Sequence, residues 1–140
     1  MEKEQNKKLG FGIVAISIIY IVMQLITMFY SSMSLISYDF LIGELSSGGM
    51  DTTNITKASL IATLIISAII LASVVLILFK ISWGIYLFYI TILINIFSSV
   101  FANGFTWTTG VFLVLPFIYG YLIKRKTSVF GFKNNPLKNK

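Results

Sequence analysis

The chain has 140 residues, 56% hydrophobic and only 11% charged, with a net charge of +6. A soluble domain usually carries about a quarter charged residues, so this composition excludes a protein dispersed in water. Cysteine and histidine are both absent, which removes disulfides, thiolate ligands and the commonest general base and metal ligand.

The apolar residues fall in four long blocks, about 9–30, 58–79, 85–102 and 106–123, and none of them contains Asp, Glu, Lys or Arg. Each is roughly 18–22 residues long, enough to cross a ~30 Å hydrocarbon layer at ~1.5 Å per residue. The sequence therefore predicts an all-α integral membrane protein. Its four transmembrane helices form an antiparallel bundle, with both termini cytoplasmic and one long extracytoplasmic loop between the first two. A soluble helical core would show charged faces. A β-barrel would alternate apolar and polar residues over about ten positions.

Residues 1–8 form the cytoplasmic N-terminus. The first span exceeds the 7–15 residue apolar core of a signal peptide and lacks a small-residue cleavage site after it, so it is expected to stay in place. Ser17, Tyr20, Gln24, Thr27 and Ser31 share one face of it at ~100° per residue. The outer loop, 31–57, opens with Leu35, Tyr38, Ile42 and Leu45 at helical spacing. It is too short to span, and either continues the first helix or forms a short helix at the interface. Tyr38, Asp39, Phe40 and Glu44 are the expected contact surface for an external partner. Asp39 and Glu44 read as solvated acids, since no environment that would push two carboxyl pKa values apart accompanies them. "SSGGM" is a flexible break, and Asp51 to Asn54 are expected to cap the second span. "NIT" at 54–56 matches the glycosylation sequon, but adjoins the membrane.

The second span collects Ser59, Ala62, Thr63 and Ser73 and ends in the tight turn "KISWG" at 80–84. The third carries the narrowest polar stripe, Thr91, Asn95, Ser98 and Ala102. Asn103-Gly104 suits a helix stop and reversal, with Thr106 as the next cap. The fourth gathers Thr106, Thr109, Gly110, Pro116 and Gly120. Trp83, Tyr86 and Trp107 fall at predicted boundaries, where amphipathic rings prefer to sit. The tail, 124–140, is basic and begins with Lys124, Arg125 and Lys126, which suit anionic headgroups.

With the N-terminus inside, ten of the eleven basic residues lie on the cytoplasmic side and only Lys57 outside, a strong orienting bias. The preponderance of lysine over arginine and the frequent isoleucine associate with an AT-rich, bacterial genome, which places the protein in a bacterial cytoplasmic membrane.

Gln24, Thr91, Asn95 and Ser98 are candidates for helix packing or for lining a pore. Small polar residues on one face are what membrane helices use to pack. An unpaired carboxamide in lipid would cost several kcal/mol, so Gln24 and Asn95 are expected to point into the bundle, towards each other. The intramembrane charge that pumps and proton-coupled carriers use is missing. No catalytic residue, cofactor or metal is expected, and a basic tail of this generic kind does not imply nucleic acid. The expectation is a non-enzymatic protein that acts by protein–protein interaction in the membrane, as an accessory subunit or as an immunity protein against a membrane-active toxin. Its partners are the anionic bilayer and a membrane or extracellular protein. The alternative is a small homo-oligomeric channel, transporter or holin-like pore.

Overall fold

The computed structural model describes residues 8–53 and 55–131, with the backbone alone for Ala102, Asn103, Thr108, Val111, Phe112 and Ser128. Among the described residues the fold is entirely helical. Its elements are α1 (Phe11–Ile36), α2 (Tyr38–Ser47), α3 (Lys57–Leu78), α4 (Ser82–Asn103) and α5 (Trp107–Arg125), then a short 3-10 turn, Thr127–Phe130. Three stretches, Phe11–Ile36, Lys57–Leu78 and Ser82–Phe101, are long and apolar enough to cross a membrane.

The first helix runs six residues past the expected end of its span. At about 39 Å it is longer than the hydrocarbon layer is thick. It stops at Ser37, whose N–H still donates to the Met33 carbonyl but whose ψ of 28° leaves helical geometry. The 31–57 loop thus does both things left open by its sequence: it extends α1, then starts a separate short helix, α2. One expectation fails here. The cap of α3 is Thr56, not Asp51 to Asn54: its hydroxyl accepts from the Ser59 N–H while the Ser59 hydroxyl accepts from the Thr56 N–H. This reciprocal pair satisfies two orphan donors at the helix start, which a residue several positions upstream cannot reach. Asp51 instead folds the loop on itself, accepting from the Thr53 N–H and hydroxyl. These bonds hold its carboxyl below the ordinary value of 3.8. Asn54 lies outside the described residues, as do Lys3, Lys7, Lys133, Lys138 and Lys140.

Between α3 and α4 the chain reverses through a Schellman turn. The Ile81 N–H reaches the Leu76 carbonyl, and the Lys80 N–H reaches that of Ile77. Lys80 occupies the left-handed position with φ 62°, where glycine is the usual residue. A side chain there costs roughly 1–2 kcal/mol, offset in part by glycine's greater unfolded-state freedom. Lys80→Gly should therefore raise stability by about 0.5 kcal/mol, read as a higher midpoint in denaturant unfolding. The α4–α5 reversal follows the sequence reading: Gly104 adopts φ 71° and donates to the Val100 carbonyl. Thr106 sits at the cap position of α5, where its hydroxyl pairs with that of Thr109 at 2.9 Å.

The helices pack unevenly. α3 lies against α1 and α4 along much of its length, while α5 touches the others far less. The buried core gathers the start of α1 (Ile13, Ile16, Tyr20), the end of α3 (Ile70, Val74, Ile77), the start of α4 (Ile85, Phe88) and the end of α5 (Tyr119, Ile123). The 3-10 turn closes it with Phe130. All of this lies in one half of the bundle, the half that holds Gly10, Lys126 and the Lys80 turn. Large apolar side chains such as Ile18, Leu25, Ile61, Leu93 and Phe97 stay exposed on the outer faces, as lipid-facing residues do.

Candidate functional site

The other half of the bundle, nearer the 37–56 connection, is not filled. A cavity of about 630 Å³ opens there between α1, α3, α4 and α5. Its polar lining comes from every long helix: Gln24 and Thr27 of α1, Thr63 and Ser67 of α3, Asn95 and Ser99 of α4, and Thr109 of α5, with Thr106 just before it. Between them stand apolar residues, among them Ile70, Ile92 and Leu115. Among the described residues no ionisable carboxyl, amine or guanidinium lines it.

Tyr20, in the cavity wall, belongs to a cluster of rings in the packed half of the bundle. Phe88 packs edge-on to Tyr20, Tyr89 and Tyr119, with centroids 5.1, 5.3 and 5.3 Å apart. Such pairs contribute about 0.5–1.5 kcal/mol each beyond area burial. Phe88 and Tyr119 are both 0% exposed. The Tyr119 hydroxyl is 2.7 Å from the Ser17 hydroxyl, which also donates to the Ile13 carbonyl at 2.7 Å. Interhelical bonds of this kind contribute on average about 0.6 kcal/mol in membranes, but this one also fixes the height of α5 against α1. A second tie joins α4 to α5: the Tyr89 hydroxyl donates to the Pro116 carbonyl at 3.0 Å. Gly120 makes room for it, since a Cβ there would collide with that hydroxyl. These polar ties of α5 to its neighbours begin at Pro116. Proline has no N–H, so the Phe112 carbonyl loses its helical donor. Beyond that point, towards Trp107, α5 borders the cavity.

The predicted packing residues divide. Gln24 and Asn95 line the same cavity, but neither carboxamide is hydrogen-bonded to a described group, so they face a common space instead of each other. Asn95 is exposed and Gln24 half-buried. Thr91 is buried and donates to the Leu87 carbonyl of its own helix at 2.7 Å. Ser98 is exposed and outside the lining, while Ser99 takes part.

The predicted partner surface divides too. The Tyr38 hydroxyl donates to the Ile55 carbonyl at 2.8 Å, and Asp39 lies 3.7 Å from the Lys57 ammonium, which also stands 4.9 Å over the Tyr38 ring. Both partners of that ion pair are largely exposed, so water and salt screen it. Phe40, 71% exposed, and Glu44 remain free to meet something else. Lys124 and Arg125 occupy the last turn of α5, where cations favour the helix C-terminus, and Arg125 stacks 5.8 Å over Tyr121. Lys126 is half-buried beside Gly10.

Sequence reasoning passed over Ser67, Ser99 and Tyr119. A signal existed for the aromatic cluster: Tyr20 lies mid-span, whereas membrane tyrosines prefer the interface, and a buried Tyr hydroxyl needs a partner. Among the described residues no group of His, Asp or Glu is placed to hold a metal ion. Neither a protein-family model nor a curated protein or solved structure matches the chain.

Proposed function

We propose that the chain crosses a bacterial cytoplasmic membrane four times as an antiparallel bundle, both termini inside, with α5 as the fourth span. It acts by binding within and beside the membrane, as an accessory subunit of a larger complex or as a protective protein against a membrane-active toxin. The observation that carries this reading is the ring cluster at the base of the cavity. With Phe88 and Tyr119 wholly buried and Ser17 bonded to Tyr119, the rings behind Tyr20 fill the half of the bundle next to the cavity, which suits a receiver and not a conductor. Phe40 and Glu44 on α2 supply the face that an external partner would meet.

A photoreactive benzoylphenylalanine at position 40, irradiated in native membranes, tests it. A defined protein adduct that disappears when 38–47 is replaced by a Gly/Ser linker supports the reading, and absence of any adduct rejects it. The second reading is a homo-oligomeric pore lined around Asn95, favoured by the shared placement of Gln24 and Asn95. Solute flux through the purified protein in liposomes, lost in Asn95→Leu with assembly preserved, would establish the pore and displace the first reading.

A further inference from the structure

We propose that the cavity is a binding site for an uncharged amphiphile: a small head bearing hydroxyl or amide groups on an alkyl tail, of the monoacylglycerol type. This goes beyond the partner reading and does not depend on it. Three side chains converge. Ser67 is 3% exposed, yet its hydroxyl is hydrogen-bonded to no described group, and it lies in the cavity wall. The carboxamides of Gln24 and Asn95, on opposite helices, are likewise unspent. Each carboxamide offers two donors and an acceptor, and a serine hydroxyl offers one donor and two lone pairs. Among the described residues no buried side-chain nitrogen or oxygen lacks a partner, so the Ser67 oxygen is open to the cavity, and a ligand head that pairs with it and with the carboxamides gains hydrogen bonds there.

The chemistry of the head follows from what the wall lacks. Among the described residues no side chain of either charge lines the cavity, so a carboxylate, phosphate or ammonium would lose its hydration without gaining a counter-charge. A neutral head loses little. The tail follows from Ile70, Ile92 and Leu115, which alternate with the polar groups. The volume, about 630 Å³, falls within the range of small-molecule sites.

The test uses the full chain in phosphatidylcholine liposomes. Three probes with equal acyl chains, each carrying a diazirine, are compared: a monoacylglycerol, a fatty acid at pH 8 and an alkyltrimethylammonium. Adducts are located by mass spectrometry. The expected result is saturable labelling by the glycerol probe at Ile70, Ile92 or Leu115, with each charged probe at least tenfold weaker there. Gln24→Leu and Asn95→Leu should each weaken it about fivefold, as loss of one hydrogen bond predicts. Ser67→Phe, which fills the wall, should abolish it, and Ser67→Ala, which removes only the hydroxyl, should reduce it with the unfolding midpoint held. Displacement by soluble 1-octanoylglycerol would show that the ligand enters from water; labelling that resists it would show entry from the bilayer. Equal labelling by all three probes overturns the proposal. So does labelling indifferent to Ser67→Ala and Asn95→Leu, or confined to lipid-facing residues such as Ile18 and Leu93. None of these results bears on the adduct at position 40, so the two proposals fail separately.

Discussion

Gly84→Ala should lower the stability of the bundle by about 2–3 kcal/mol, at the upper end of what overpacking costs. A Cβ at this position would stand 2.7 Å from the Ser73 carbonyl oxygen, 2.7 Å from the Leu76 Cβ and 2.9 Å from the Ile77 nitrogen. Two of the three are backbone atoms of α3, so no rotamer change relieves the clash and the helices themselves must separate. Lipid tails are as apolar as the side chains, so little hydrophobic force holds membrane helices together, and close backbone approach supplies much of their attraction. Separation here would also loosen Ser73 and Val74, both 0% exposed. The measurement is the unfolding midpoint in SDS titration from a mild detergent. A midpoint unchanged by Gly84→Ala would show that α3 and α4 do not cross at this residue.

The second large effect belongs to the ring cluster. Phe88→Ala should cost about 3–4 kcal/mol, in the range for truncating a buried phenylalanine, because three ring contacts vanish and the surrounding tyrosines cannot collapse into the gap. Tyr119 is held by Ser17 and Tyr89 by Pro116, which keeps the void open. The same SDS titration reads the loss. Phe97, 63% exposed on the same helix, provides the contrast: its truncation should shift the midpoint little, since surface positions away from special features usually change stability by about 0.5 kcal/mol or less. Equal shifts for the two variants would mean that Phe88 is not at the centre of the bundle. Shortening Phe88 also thins the seal, so a variant that conducts solute where the parent does not would identify this ring as what separates a binding cavity from a passage.

Long apolar runs were legible because transfer from water to hydrocarbon is a local property summed over about twenty residues. Hence the helix bounds of α3, α4 and α5 lie within a few residues of the expected spans. Turn chemistry was legible where one residue type decides it, as at Gly104. It was not legible at Lys80, where a lysine fills a position that glycine normally takes, nor at Thr56, whose cap depends on a serine three residues on.

The polar stripes show where sequence reasoning stops. Placing α4 residues at ~100° intervals groups Thr91, Asn95 and Ser98. The cavity face, with Ile92, Asn95, Ile96 and Ser99, is turned from that stripe by roughly 80°. Periodicity defines which residues share a face, but the rotation of a helix about its axis depends on its neighbours. Gly84 sets that rotation by admitting the α3 backbone, and Tyr89 by reaching Pro116.

The sequence by itself determined that this is a membrane protein with apolar helices, that small hydroxyls and two carboxamides cluster on their inner faces, and that no charge lies among them. Those are sums over residues and periods, and they need no partner. Only the tertiary structure decided whether those groups touch each other or face a space. That depends on interhelical distance, which residues far apart in the chain set jointly: a glycine and a ring cluster close one half of the bundle, and nothing equivalent closes the other.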